Sequence, residues 1–316
     1  MEPVDHSLLM LMADGSIARA GRSGSFRIEG KRSLIDADPT GAARDKLIPG
    51  YRLVFDEDFD GQQLDARRWI PHHLPHWSSS DKSRASYRIF GGSLVLFIGE
   101  NQPCWCPEFD GNVRVSALQT GRRSGKLGTV FGQHRFRPGL RVRETQIEER
   151  LYTPIYGRIV LRARARLAAS SLASLYLIGF EEIPQNSGEI TVMEVFGKSI
   201  DSDGAVVGRG LKNINDDRLR TDFTETKLPI SIEDWHVYEA DWSQNGVKFL
   251  LDGELIGSAA QSPDYAMQLM LTLYDLSPEG SVHDPSPEFE IDYIRGYEPV
   301  LPFVPVDLQR PTESTP

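Results

Sequence analysis

Two carboxylates sit inside a stretch that otherwise reads as a buried strand, Ser187-Gly188-Glu189-Ile190-Thr191-Val192-Met193-Glu194-Val195-Phe196-Gly197. Branched and apolar residues dominate it, and glycines bracket it. Carboxylates are depleted from strand interiors and costly to desolvate, so Glu189 and Glu194 demand a reason. On a regular strand, residues five apart point to opposite faces. One extra residue, a β-bulge near Val192-Met193, brings Glu189, Thr191 and Glu194 onto one face and leaves Ile190 on the other. Two carboxyl groups about 5–5.5 Å apart are the geometry of retaining glycoside hydrolysis. The plain alternative is a solvent-facing strand with two ordinary surface glutamates.

The rest of the chain has to position that pair. Its 316 residues suffice for one large all-β domain or two smaller ones. The net charge of −10 argues against a general polyanion binder and fits a neutral polysaccharide, a small molecule or a protein partner equally well. No apolar run is long enough to span a bilayer. The acidic start Met1-Glu2-Pro3-Val4-Asp5 is unlike a secretion signal, which makes the cytoplasm the default location unless a signal was removed. Cys104 and Cys106 flank Trp105, too close along a strand for disulfide geometry, and no metal-ligand set stands beside them.

Short strands with turn signals recur from Tyr51-Arg52-Leu53-Val54-Phe55 onward. They include a hairpin around Gly91-Gly92, then 113–119, 157–167, 174–178, 188–196, 235–242, 247–251 and 289–297. That rhythm, with no long helix-period segment, predicts an all-β sandwich or jelly roll. Residues 1–48 read as a partly irregular N-terminal extension, 49–298 as the domain, and 299–316 as a proline-containing tail. Ser25-Phe26-Arg27-Ile28 is a candidate short strand within the extension.

Several segments, in order, resemble glycoside hydrolase family 16, the laminarinase and lichenase family. Glu189-Ile190-Thr191-Val192-Met193-Glu194 is similar to its Glu-x-Asp-x-x-Glu motif, with Thr191 in place of the middle aspartate. Asp56-Glu57-Asp58-Phe59-Asp60-Gly61, Tyr156–Ala165, His236–Trp242 with Val247–Gly253, and Phe289–Tyr297 carry the rest of the likeness. The resemblance implies a β-jelly roll of two antiparallel sheets, concanavalin A-like, whose concave face forms the cleft. It implies Glu189 as nucleophile and Glu194 as general acid/base. Thr191 can hydrogen-bond Glu189 but carries no charge. The implied activity is retaining, endo-acting hydrolysis or transglycosylation of a β-linked polysaccharide. The alternative is a catalytically inactive, lectin-like protein on the same scaffold.

Sugar rings stack on aromatic faces, and this makes Trp77, Trp105, Tyr176 and Phe180 candidate substrate contacts, with His76 beside them. Lys212 and Asn213 lie where the family places a substrate-touching strand. Trp235 and Trp242 are expected in strands as core residues, and the arginines of 158–166 on a solvated outer face. No catalytic metal or cofactor is implied. A structural calcium occurs in some relatives and would use Asp292, yet one oxygen is far short of the ligands calcium takes. The expected partner is an oligo- or polysaccharide, met by a monomer, without nucleic acid or membrane.

Overall fold

Along Gly157–Arg166 apolar residues alternate with arginines, which sets one face against a core and the other toward water. In the computed structural model, which describes residues 46–278, 281–283 and 285–300, Ile159, Leu161, Ala163 and Ala165 are buried. Arg158, Arg162, Arg164 and Arg166 pair across strands with Glu239, Asp292, Glu290 and Glu288. The outer face is thus a ladder of ion pairs between neighbouring strands. The expected N-terminal extension up to residue 45, with its short strand, and the tail from 301 lie outside the described residues.

Among the described residues seventeen strands follow in chain order. The first six are β1 (Tyr51–Glu57), β2 (Tyr87–Phe90), β3 (Ser93–Phe97), β4 (Arg114–Gln119), β5 (Gly121–Arg122) and β6 (Glu149–Arg150). Next come β7 (Gly157–Arg166), β8 (Ser171–Gly179), β9 (Glu189–Phe196), β10 (Ile200–Asp201), β11 (Gly204–Lys212) and β12 (Asp222–Leu228). The last five are β13 (His236–Ser243), β14 (Gly246–Leu251), β15 (Glu254–Ala259), β16 (Met267–Asp275) and β17 (Glu288–Pro299). All but β5 and β6, which pair only with each other, form two antiparallel sheets of a jelly-roll sandwich. One runs β15-β14-β13-β7-β17-β3-β2 with β1 also on β17, and the other runs β10-β11-β9-β8-β16-β4 with β12 also on β11. Gly91 and Gly92, both at positive φ (64° and 77°), make the two-residue turn joining β2 to β3.

The described residues pack into two apolar cores. The larger lies between the sheets and includes Leu161, Ile190, Val192, Met193, Val195, Leu271, Ile291 and Trp242. The second lies on the far side of the β9 sheet, where Leu74, Trp77, Trp105, Phe136 and Leu140 from long connections pack on Leu172, Tyr176, Ile178, Met270 and Tyr274. This explains why β8, β9 and β16 are buried along their whole length. Those connections are a packed cap, held by contacts such as Trp77 Nε1 donating to Gln133 O at 2.8 Å. Gly132 makes room for it, since a side chain there would meet the rings of His76 and Trp77 within 3 Å.

One expectation about the scaffold needs correction. Trp242 is a core residue of β13, donating Nε1 to Pro263 O, but Trp235 precedes that strand and lies on the outer face between the guanidinium groups of Arg162 and Arg164. Asp292 accepts from Arg162 at 2.6 Å, so the carboxylate matched to the calcium position is already engaged with a cation. Among the described residues no group of three or more His, Cys, Asp or Glu is placed to hold a metal ion, and no helix is long and apolar enough to cross a membrane. Cys104 and Cys106 are both free thiols.

Candidate active site

The strand β9 carries an extra residue between its two neighbours. Against β8, Thr191 opposes Tyr176 and Met193 opposes Leu175, so Val192 has no partner of its own. Against β11, Thr191 opposes Gly210 and Glu194 opposes Gly208, leaving Arg209 opposite two residues. Val192 and Met193 both enter the core between the sheets, as a bulge allows. Alternation resumes beyond it, with Val195 in that core and Phe196 on the capped side. Glu189, Thr191 and Glu194 therefore share the capped face.

The three side chains are buried, and Lys212 links the two carboxylates. Thr191 Oγ1 donates to Glu189 Oε1 at 2.7 Å. Lys212 Nζ, from the end of β11, is 3.1 Å from Glu189 Oε1 and 3.1 Å from Glu194 Oε2. The Phe223 ring of β12 covers the ammonium at 4.4 Å. Gly208 lets that ring approach, because a Cβ there would lie 2.6 Å from Phe223 Cζ. Thr191→Val should leave the fold intact and remove one donor to ionised Glu189. A hydrogen bond to a charged group contributes about 1.5–3 kcal/mol, so kcat/KM should fall by about 10- to 100-fold and the acidic limb of the pH profile should move upward. Steady-state kinetics across pH checks both.

The wall around the pair is built by distant segments. The pocket containing Glu189 and Glu194 is also lined by His73, Trp105, His134, Phe136, Tyr176 and Tyr274. Tyr176 and Tyr274 join through their hydroxyls at 2.9 Å, and His73 Nε2 lies 3.5 Å from Tyr274 Oη. His134 Nε2 is 3.8 Å from Glu189 Oε2. Its backbone N–H donates to Glu181 at 2.5 Å, and the preceding Gln133 is held by Gln268, Trp77 and Arg123. His73 Nδ1, Trp105 Nε1 and His134 Nδ1 are buried without a hydrogen-bond partner among the described residues.

Of the residues singled out from sequence, the structure brings Glu189, Thr191, Glu194, Lys212, Tyr176 and Trp105 together. It places four others elsewhere. Trp77 and His76 are fully buried in the cap, both donating to Gln133 O, and are anchors of the loop with no face for a sugar. Phe180 is buried beneath the guanidinium of Arg150, 4.1 Å away, outside the pocket. Asn213 accepts from Thr221 in the turn after β11, also outside the pocket. Sequence reasoning missed His134, Tyr274 and Phe223. His73 stands three residues before His76 in the same segment.

Electrostatics separates the two carboxyls. Burial would raise Glu189, but Lys212, His134 and the Thr191 hydroxyl outweigh it and hold this carboxyl below the usual glutamate value. Burial also raises Glu194; Lys212 opposes the shift, Glu189 and Glu225 add to it, and the net result is a carboxyl above its usual value. Lys212 is pushed down by burial but more strongly up by the two glutamates, so it stays an ammonium. His73 and His76 are kept neutral chiefly by burial, which lowers them to about 3 and about 4. A pair of carboxyls with separated affinities has the electrostatic character of a base or nucleophile beside an acid.

The model of the glycosyl hydrolases family 16 matches residues 149–295, which include the whole of β9 and its bulge. That match makes the segment around the acid pair similar to glycosyl hydrolase family 16. The chain is 30% identical to the GlcNAcα1-4Gal releasing endo-β-galactosidase of Clostridium perfringens, with a TM-score of 0.72 over 82% of this chain and 64% of that one. It is 21% identical over 217 residues to glucan endo-1,3-beta-glucosidase A1 of Niallia circulans, covering 68% of this chain and 30% of the other. It thus spans less than two thirds of either relative. A laminarinase from Flavobacterium sp. UMI-01 shares the fold, with 18% identity and a TM-score of 0.54 over 78% of this chain and all of that one.

Proposed function

We propose that this protein is a retaining, endo-acting glycoside hydrolase of a β-linked glycan, with Glu189 as nucleophile and Glu194 as general acid/base. The observation that carries the reading is the double contact of Lys212. With 3.1 Å to each carboxylate, the two contacted oxygens lie no more than about 6 Å apart. That fits a nucleophile and an acid/base on one sugar ring, and is short of the 6.5–9.5 Å that leaves room for a water in inverting enzymes. The separation of proton affinities supports the same roles: the group lowered is the one that must be ionised, and the group raised is the one that must be protonated. The unpartnered polar atoms of His73, Trp105 and His134 offer the wall hydrogen bonds to sugar hydroxyls.

Activity then requires a pH above the Glu189 value and below the Glu194 value. The bell should rise on its acidic side below the ordinary glutamate range and fall on its basic side above it. The greater likeness to the endo-β-galactosidase than to the glucanases favours a galactose-containing glycan. Transfer to a sugar acceptor passes through the same glycosyl-enzyme and differs only in what attacks it.

The test is incubation with a 2-fluoro β-galactoside carrying an activated leaving group, with the 2-fluoro β-glucoside in parallel, followed by peptide mass spectrometry. The expected result is one sugar mass on the peptide containing Glu189. Saturable sugar binding with neither adduct nor turnover is the result that sinks the hydrolase and leaves the lectin-like alternative.

A further inference from the structure

Lys212 is buried, with 3% of its surface exposed, and it stands between the two carboxyls on which the proposed chemistry depends. An ammonium has three N–H donors. Here two directions meet Glu189 and Glu194, and the face of Phe223 closes another. The group is therefore an internal partner of the acid pair, not a free hook for a sulfate or carboxylate on the substrate. Its place between them, equidistant, suits a charge that must be answered first on one side and then on the other.

We propose that Lys212 is the counter-ion shared by both reaction steps, serving Glu189 before glycosyl transfer and Glu194 after it. The inference rests on the hydrolase reading above. In the first step a lone pair of the Glu189 carboxylate forms a bond to the anomeric carbon. The bond to the leaving oxygen breaks with its electron pair, and that oxygen takes the proton of Glu194. Glu189 is now a neutral ester and Glu194 a carboxylate. In the second step water attacks the same carbon and yields its proton to Glu194, while the ester C–O bond breaks and returns its pair to Glu189. One negative charge has crossed from one side of Lys212 to the other and back, and the three side chains sum to zero in every stable state. Without the ammonium, an unpaired negative charge would be buried there throughout.

The other groups facing the trio do not supply this. His134 approaches Glu189 alone, at 3.8 Å. Glu225 of β12 adds negative charge near Glu194. Tyr176 of β8 and Tyr274 of β16 are held in the neutral phenol form mainly by burial. Thr191 is neutral, so the motif contributes no third carboxylate that a single ammonium would fail to balance.

The experiment compares wild type with Lys212→Met and Lys212→Arg by carbon-13 titration of labelled glutamate carboxyls and by the pH dependence of fluoro-glycoside labelling. Removing the charge should raise the titration of both Glu189 and Glu194 by about a unit or more, and move both limbs of the labelling profile to higher pH. The arginine variant should keep both near wild type. If Met folds poorly, Lys212→Gln provides the same charge loss with a polar side chain. Unmoved carboxyl titrations, or a shift in only one of them, overturn the shared role and leave Lys212 a spacer. A wild type that is never labelled overturns the hydrolase reading itself, an outcome separate from the titrations because they need no turnover.

Discussion

Glu189→Gln is expected to lower kcat by about 10⁴-fold or more on any glycan the native chain cleaves, with little change in thermal stability. An amide oxygen is too weak a nucleophile to form the glycosyl ester, so the route closes rather than slows. The fold should tolerate the change, because the amide is the same shape. Its oxygen can still accept from Thr191 Oγ1, now at 2.7 Å, and from Lys212 Nζ at 3.1 Å. Its NH₂ group then faces His134 Nε2, 3.8 Å from the present Oε2. Glu194 should titrate lower in this variant, since it loses a like-charged neighbour and gains the undivided attention of Lys212. Kinetics with a reducing-end assay, beside a melting curve, checks the claim. Residual turnover within tenfold of wild type would remove Glu189 from the role of nucleophile.

Glu194→Gln should behave differently, and the difference is diagnostic. With a glycan substrate the leaving oxygen is a poor leaving group, and losing its proton donor should cost about 10²–10⁴ in kcat. With an activated aryl β-glycoside the first step needs no proton, so it should proceed at close to the native rate. Water then lacks its base, and the sugar should accumulate on Glu189. A small external anion such as azide attacks without needing deprotonation and should restore turnover, giving a glycosyl azide of retained configuration. Equal losses on both substrates, without accumulation or rescue, would argue that Glu194 supports the pocket and does no proton transfer.

Much of this arrangement was legible in the chain itself. Two glutamates five apart in an apolar strand required an irregularity, and the unpartnered residue is Val192, within the Val192-Met193 step where the spacing put it. The alternation of β7 and the Gly91-Gly92 turn are local properties and came through for that reason. What failed to come through depends on long-range packing. Trp77 and His76 have the composition of a sugar-binding loop, but whether a ring is offered to solvent is decided by Gln133, more than fifty residues away. The strands β12 and β16 have no counterpart among the strands read from the sequence, although Leu269, Leu271 and Leu273 alternate into the core. Without β16 and β12 there was no way to place Tyr274 against Tyr176, or Phe223 against Lys212. His134 is more hidden still. It lies in an irregular segment at φ 52°, and its position follows from a backbone bond to Glu181.

Because Val192 is left over between two ladders, the acid pair is sensitive to counting more than to chemistry. Val192 and Met193 can exchange for other residues that fill the same interior space, at a loss of packing. One inserted residue at that step is another matter: it would rotate everything beyond it by half a turn, sending the Glu194 carboxyl into the core between the sheets and an apolar side chain into the pocket beside Glu189. Mutational drift in this strand should therefore be tolerated as replacement and rejected as a change of length.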